Sequence, residues 1–498
     1  SMRRLAHYDY WSDKVRRSIL LDAKADLVGF GMGEAVIVEI ARRLADGRTV
    51  ADLRDMRGVA YALGAREELP DIEAVRLPSY EEVVADPIAF CDATRLIHME
   101  TNPYNARALI QYHDQQAVVQ MPPALPLSTT RLDEIHELPY TRQPHPAYRE
   151  KIPAWTVIKD SVTIMRGCFG GCTFCSITTH QGRIVQSRSK ESVLRELKVL
   201  SNSPDFKGTV SDIGGPTANM YEMKCTRPEV EKICRRLSCV HPTICKLLGT
   251  DHAPLIDLMR SSRRVKGVKK VLVASGVRMD LARRSPEYIK ELTTHHVGGH
   301  LKVAPEHSDS GVLDVMKKPS MDDFDVFAEQ FDRDSRRAGK EQYLVPYFIA
   351  SHPGCGPKEM IDLAVYLKRG GYKPDQVQDF IPAPMDIAAA MYHTGLDPFT
   401  KRPVQVAKHM RDRKVQRAMM QFFKPENYFV VRQALIKAGR QDLIGEGCDA
   451  LIPKTPPAAA LAARRRRQTG GSESGKGREQ RRAASVGYRP GRRGAVGR

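Results

Sequence analysis

Three cysteines stand close together in the stretch SVTIMRGCFGGCTFCSITTHQGRIVQSRSK, which runs from residue 161 to residue 190. Cys168, Cys172 and Cys175 have the spacing C-x3-C-x2-C and directly follow an apolar run. On a loop that leaves a strand, this spacing can offer three thiolates to one iron-sulfur cluster. One iron then lacks a protein ligand and stays open to a reactive cofactor, as a catalytic zinc site keeps one position open. The alternatives are a zinc site completed by a distant residue and a chance cluster of thiols.

A second group of four cysteines lies in CTRPEVEKICRRLSCVHPTIC and consists of Cys225, Cys234, Cys239 and Cys245. The spacing C-x8-C-x4-C-x5-C matches neither a pair of zinc-ribbon knuckles nor a ferredoxin run. Four cysteines this close could hold a second metal centre, either an auxiliary cluster or a structural zinc, with His252 as a replacement ligand. Reduced structural thiols or two disulfides are the competing interpretations.

The elements that must position these groups form a repetitive pattern from residue 161 onward. Most of its β-rich runs are separated by segments with helix signals, which predicts parallel β/α architecture. Six such units are too few for an eight-stranded barrel and fit a partial, open (β/α)6 TIM-like barrel, whose chemistry gathers at the C-terminal strand ends. The cysteine loop follows the first strand. The six runs are SVTIM at 161–165, TVSDI at 209–213, VLVAS at 271–275, HLKVA at 300–304, LVPYFI at 344–349 and VQDFI at 377–381.

The regions before and after this repeat have other sequence patterns. Residues 25–45 predict a strand, a glycine turn and an amphipathic helix, a βα unit that cannot bury its own sheet edge. Residues 61–155 are rich in proline and predict a connecting region, and residues 385–455 predict a small helical region. Residues 456–498, rich in alanine, glycine, serine and arginine, predict disorder.

Charge and composition narrow the function classes. The formal net charge is +19, and residues 463–498 hold twelve Lys or Arg against two Asp or Glu, so +10 of the excess lies in the tail. An arginine-rich tail of this kind can bind RNA through phosphate charge. No segment approaches about 18 uninterrupted apolar residues and the N-terminus has no apolar signal core, which predicts a cytoplasmic protein without membrane association. Ten cysteines, seven of them in two groups, favour metal ligation in a reducing compartment.

The cysteine loop resembles a known signature. RGCFGGCTFCSI is similar to the C-x3-C-x-aromatic-C motif of radical S-adenosylmethionine (SAM) enzymes, with Phe174 as the aromatic residue. The resemblance implies that the three thiolates hold a 4Fe-4S cluster and that SAM chelates the fourth iron. The reduced cluster would cleave SAM to methionine and a 5′-deoxyadenosyl radical, which abstracts hydrogen from a substrate. It also implies an external electron donor such as flavodoxin or ferredoxin.

Further residues resemble the SAM-binding positions of that superfamily. Gly214, Gly215 and Pro216 in SDIGGPTANM look like its glycine motif, although the usual GGE is GGP here, so a carboxylate contact is lost. Ser275 and Arg278 in ASGVR, and Glu306 in KVAPEH, end the third and fourth strands, where ribose and carboxylate contacts are expected. A purely structural βα turn is the alternative at each position.

A more specific resemblance covers almost the whole chain. HYDYWSDKVRRS, DIGGPTANMY, CRRLSCVHPTIC, THHVGGHLKVAPEH and AGKEQYLVPYFIASHPG are similar to the YgiQ family of radical SAM proteins. Its members carry a further N-terminal segment that resembles a cobalamin-binding Rossmann domain, of which residues 25–45 would be the last unit. No D-x-H-x-x-G motif occurs here, so we expect no cobalamin. The expected domains are the Rossmann-like remnant 1–60, the connecting region 61–155, the radical SAM core 156–384 with a Cys-rich insertion 222–252, the helical region 385–455 and the tail 456–498.

The sequence therefore predicts a radical SAM enzyme, and the resemblance assigns neither reaction nor substrate. Two alternatives stay open: a non-enzymatic, metal-stabilised RNA-binding protein, and a radical SAM enzyme that modifies RNA.

Overall fold

The computed structural model describes residues 2–469. Within that range, no helix combines the length and apolar character that a membrane span requires.

The N-terminal part is built on one mixed sheet of five strands in the order β3-β4-β7-β6-β5, with a separate two-stranded ribbon of β1 and β2. All neighbours in the sheet are antiparallel except β5 and β6. The strands are β1 His7–Asp9, β2 Lys14–Arg16, β3 Val28–Gly29, β4 Val59–Leu63, β5 Ala74–Arg76, β6 Ala108–His113 and β7 Gln116–Gln120, and the helices are α1 Ile19–Asp22, α2 Glu34–Ala45, α3 Tyr80–Ala85, α4 Pro87–Met99 and α5 Thr129–His136.

This sheet corrects the expected organisation of the N-terminal region. The strand, turn and helix predicted for residues 25–45 are present as β3 and α2. The domain border expected at residue 60 falls inside β4, however, and most of the sheet lies in the stretch predicted as a connecting region. Strands β6 and β7 form a hairpin in which His113 pairs with Gln116. Its turn has no glycine and uses Asp114 at φ 57° instead, so the usual hairpin signal is absent from the sequence.

The central part contains parallel pairs that follow one another along the chain. Strand β8 pairs with β12, β11 with β13, and β14 with β15, which pairs with β16. A hydrogen bond from the Ile213 N–H to the Leu272 carbonyl oxygen (2.9 Å) and a bridge between Val277 and Val303 connect these groups. Each predicted run overlaps one of these strands. They are β8 Ser161–Thr163, β9 Met165–Arg166, β10 Gln186–Ser187, β11 Thr209–Val210, β12 Asp212–Gly214, β13 Lys270–Val271, β14 His300–Glu306, β15 Tyr343–Ala350 and β16 Gln378–Asp379.

Helices separate most of these strands, and the fold is therefore α/β, as the alternation predicted. Apolar side chains of β8, β11, β12, β13 and β14 and of α8, α10 and α14 share one buried core, which holds Val162, Val193, Leu258, Val271 and Phe327. The helices of this part are α6 Pro153–Ile158, α7 Ile177–His180, α8 Lys190–Ser201, α9 Pro228–Ile233, α10 Ala253–Ser262, α11 Met279–Ala282, α12 Pro286–Glu291, α13 Ser310–Met316, α14 Met321–Arg337 and α15 Pro357–Arg369.

The C-terminal part is helical, with α16 Ile387–Thr394, α17 Met410–Met420, α18 Tyr428–Lys437 and α19 Ala458–Thr469. Helix α19 corrects the prediction of disorder for the start of the tail. Alanine and arginine both favour helices, Ala460 is buried in the core, and the Arg464 guanidinium lies over the Phe429 ring at 4.6 Å. The remaining tail, on which the RNA-binding alternative largely depends, lies outside the described residues.

Candidate functional site

The cysteine loop leaves β9 and is closed at its base. Strand β9 pairs antiparallel with β10, so residues 167–185 form a loop between two paired strands. The Cys168 N–H donates to the Gly182 carbonyl oxygen (3.1 Å). Gly167 has φ +81°, and a Cβ there would collide with the Ile184 carbonyl group, so only glycine fits. The backbone therefore holds the first cysteine at the base of the loop.

The two central glycines of the loop make room for neighbours on both sides. A Cβ on Gly170 would lie 3.0 Å from Arg278 Nη1 and 3.2 Å from Cys168 Sγ. Gly171 has φ +66°, and a Cβ there would collide with the Leu237 carbonyl group. The motif is thus packed between Arg278 and the Cys-rich insertion.

Burial sets the chemistry of the thiols. It raises the pKa of Cys168 and raises the pKa of Cys175 to about 12, and the neighbouring thiols raise both further. The three cysteines are free and lie within electrostatic reach of one another. Because a thiol must lose its proton to become a ligand, these groups need a strongly positive centre to act as thiolates.

The potential metal ligands of the loop are three thiols. Within residues 2–469, no three His, Cys, Asp or Glu side chains converge on a point that could hold one metal ion. An iron-sulfur cluster distributes thiolate ligands over separate irons, and all three donors here are thiols. The type of donor therefore fits an iron-sulfur cluster.

Arg278 faces the cysteine loop and is held in place from two sides. Its guanidinium makes a buried bidentate ion pair with Asp280, at 2.9 Å and 2.8 Å. Burial works against its charge, but the carboxylate of Asp280 and the thiol of Cys172 more than offset it and raise the Arg278 pKa. The buried Asn219 side chain accepts from the Arg278 N–H (2.8 Å) and donates to the Arg278 carbonyl oxygen (2.9 Å).

The glycine motif at the end of β12 lies against the ASGVR turn. Asp212 Oδ1 accepts from the N–H groups of Ala274 (2.7 Å) and Ser275 (3.0 Å). A Cβ on Gly214 would collide with Ser275, and one on Gly215 with the Met165 carbonyl group. Ser275 Oγ is buried and has no hydrogen-bond partner among the described residues. An unpartnered buried hydroxyl costs free energy unless a ligand completes it.

A cavity opens beside this motif and includes the N-terminal part of the chain. Its wall contains Gly214, Gly215 and Pro216, together with Arg166 of β9 and Glu34 of α2. Arg166 and Glu34 form an ion pair at 2.5 Å. Their 132-residue separation is why sequence reasoning missed this pair.

Glu306 ends β14 in a strained, buried position. Its φ is +71°, which a side-chain-bearing residue rarely adopts without a constraint. Burial raises its pKa, and Lys318, whose Nζ lies 3.6 Å from Oε1, opposes that effect. Nothing in the motifs pointed to Lys318, because it comes from the helix-flanking segment after α13.

Phe174 does not point at the glycine motif. Its ring packs edge-on against the His352 ring, with centroids 5.7 Å apart, at the end of β15. The next residues are tied to the C-terminal part, where Ser176 Oγ donates to the Asp386 carboxylate (2.9 Å). Burial raises the pKa of Asp386 to about 7. Sequence reasoning missed the roles of Asp386, Asn219 and Asp280. Of these, Asn219 and Asp280 lie close to motif residues in the sequence.

The second cysteine group lies against the first. The Cys239 thiol is within electrostatic reach of Cys234, Cys245 and the Arg183 guanidinium, and burial raises its pKa. Cys225 forms a backbone bridge with Leu248, three residues beyond Cys245. His252 is not with them, since its ring packs against Tyr288 with centroids 4.8 Å apart.

Family models match three consecutive parts of the chain. Residues 1–161 match the radical SAM N-terminal model, residues 162–330 the radical SAM superfamily model, and residues 375–493 a domain of unknown function (DUF3362).

Curated relatives match over nearly the whole chain. A UPF0313 protein of Bradyrhizobium diazoefficiens is 50% identical over 483 residues, covering 92% of this chain and 72% of the relative. A UPF0313 protein of Rhodopseudomonas palustris is 50% identical over 484 residues, covering 92% and 71%. Among solved structures, the radical SAM methyltransferase TsrM of Kitasatospora setae aligns with a TM-score of 0.41 at 13% identity, covering 74% of this chain and 54% of TsrM. That structural likeness is too low to bear on the site.

Proposed function

Because the chain belongs to the UPF0313 family and is a radical SAM enzyme, we propose that Cys168, Cys172 and Cys175 hold its 4Fe-4S cluster. The observation that carries this proposal is the loop itself: three partly buried thiols lie within electrostatic reach of one another, and those of Cys168 and Cys172 lie with Arg278 beside Gly170. When bound and reduced, such a cluster supplies the electron that cleaves SAM to methionine and a 5′-deoxyadenosyl radical.

The proposed SAM-binding surface is formed by Gly214, Gly215, Pro216 and Ser275. Gly214 and Gly215 line the cavity without side chains of their own, and the buried Ser275 hydroxyl has no hydrogen-bond partner among the described residues. Arg278, fixed by Asp280 and Asn219, supplies a permanent positive charge beside the thiols, which suits the carboxylate of SAM.

Two of the predicted contacts take different roles in this proposal. Glu306, at the end of β14, is proposed to make a polar contact with SAM. The neighbouring Lys318 ammonium favours the charged form of its carboxylate. Phe174 is assigned to packing against His352 and thus to fixing the end of the cysteine loop. We further propose that the six parallel strands close around the site as a partial barrel, in a reducing compartment that keeps all ten cysteines free.

The test is reconstitution with iron and sulfide under anaerobic conditions, reduction, and addition of SAM. We expect 5′-deoxyadenosine and methionine in equal amounts, and none from Cys172→Ala. The matched control is Cys448→Ala, which removes an exposed thiol far along the chain and should cleave SAM as the parent does. A loaded cluster without SAM cleavage, across candidate substrates, would refute the proposal.

A further inference from the structure

The Cys-rich insertion forms one wall of the cysteine loop. The Cys239 N–H donates to the Phe169 carbonyl oxygen (3.0 Å), and Ser238 Oγ donates to the Gly170 carbonyl oxygen (2.6 Å). The Leu237 carbonyl group occupies the space beside Gly171. Three consecutive residues of one segment therefore contact three consecutive residues of the other. Cys239 is thus hydrogen-bonded to the residue that directly follows Cys168.

The insertion also gathers its own thiols around a cation. Arg183 Nη2 lies 3.9 Å from Cys234 Sγ, and Arg183 is buried. The Cys245 N–H donates to the Cys239 carbonyl oxygen (2.8 Å), which fixes these two cysteines relative to each other. The Leu248 N–H donates to the Cys245 carbonyl oxygen (3.0 Å), and the bridge from Leu248 to Cys225 closes the segment. The Arg183 guanidinium therefore supplies a positive charge beside these thiols.

We propose that Cys225, Cys234, Cys239 and Cys245 hold a second iron-sulfur cluster, packed directly against the site of the first. All four cysteines are free thiols. The Cys239 thiol lies within electrostatic reach of the Cys234 and Cys245 thiols. The ligand set stands by itself, whereas the role derived next rests on the proposed function.

Four protein thiolates leave no iron open, so the second cluster carries electrons and does not bind substrate. It takes one electron from a low-potential donor of the flavodoxin or ferredoxin class and passes one electron to the first cluster, with no bond made or broken. The surroundings suit an acidic donor, because the cations of this segment are largely exposed while the first loop is interior. The exposed cations of the segment are Lys224, Arg227, Lys232, Arg236 and Lys246.

Iron content tests the ligand assignment without reference to activity. After anaerobic reconstitution, the parent chain should bind about eight irons, two cubanes of four each. The triple variant Cys168→Ala/Cys172→Ala/Cys175→Ala and the double variant Cys234→Ala/Cys239→Ala should each keep about four. Cys448→Ala should keep the parent content. The triple variant lacks the proposed ligands of the first cluster. Its iron content therefore reports the second site even if the proposed function fails.

Three outcomes would overturn the inference: about four irons in the parent, iron loss to near zero in the triple variant, or zinc in place of iron at the second site. Far-UV circular dichroism checks that each variant is folded, and the milder Cys234→Ser serves if the double variant is not. In the reduced parent, electron paramagnetic resonance should show two mutually broadened signals, and each variant one narrow signal. The double variant should lose flavodoxin-driven SAM cleavage and keep cleavage driven by dithionite.

Discussion

Replacing Asn219 by alanine is expected to destabilise the site while leaving every proposed ligand in place. Asn219 is fully buried, and its side chain satisfies both the N–H and the carbonyl oxygen of Arg278, at 2.8 Å and 2.9 Å. Arg278 is itself only 8% exposed, so water cannot replace these partners freely. Leaving a buried polar group without a partner costs about 1–3 kcal/mol, and two groups about 2–6 kcal/mol.

The same change should weaken SAM binding. Without the two hydrogen bonds, only the ion pair with Asp280 fixes Arg278, and its guanidinium can move away from the cysteine loop. We expect a lower urea midpoint of the apo protein, and weaker SAM binding of the reconstituted protein by equilibrium dialysis, with unchanged iron content. Asn202→Ala, an exposed substitution at the end of α8, should change stability by less than about 0.5 kcal/mol. Equal midpoints and equal SAM affinities for the two variants would refute this reasoning.

Three further predictions concern the glycine motif, a buried histidine and a buried ion pair. Gly214→Ala should abolish SAM binding but keep the iron content, because its Cβ would displace Ser275, and normal SAM affinity would contradict that. Burial lowers the pKa of His98 to about 4, so the folded protein binds a proton at His98 less readily than the unfolded chain does. The free energy of unfolding should therefore fall as the pH is lowered from about 6.5 to about 4, by about 3 kcal/mol in all. In urea titrations across that pH range, His98→Gln should show a correspondingly flatter dependence than the parent. Arg188→Met should cost about 1–3 kcal/mol, because Glu196 loses a buried partner and keeps only its ion pair with Arg142, whereas Arg195→Met at an exposed pair should cost at most about 1 kcal/mol in the same titrations.

The basic surface around the second cysteine group adds one measurable expectation. If an acidic redox protein docks there, added salt should slow flavodoxin-driven reduction steeply, and reduction by dithionite much less. Lys224→Glu/Lys246→Glu should reproduce the slow rate at low salt, with Lys198→Glu, on α8, as the control. Equal salt dependence for both reductants would contradict a docking role for this surface.

Local pattern was sufficient for the central part of the molecule. Each of the six β-rich runs overlaps an observed strand, because the apolar residues and the turn and helix signals that define such a strand lie within a few residues of one another. The N-terminal sheet was missed since its strands are short and its hairpin turns on Asp114 without glycine. The helix at Ala458–Thr469 was missed because its alanines and arginines were read as composition alone and not as helix formers.

The sequence by itself determined the chemistry available: three thiols at one loop, four more in an insertion, and glycines where the backbone must come close. Tertiary structure alone decided which distant groups meet. Asn219 holds Arg278, Lys318 faces Glu306, and the Cys239 N–H bonds to the cysteine loop at Phe169. The physical reason is that periodicity specifies which face of an element is buried, whereas partners across strand ends depend on loop paths that no local pattern records. The two cysteine groups were visible from the start, and their direct contact was not.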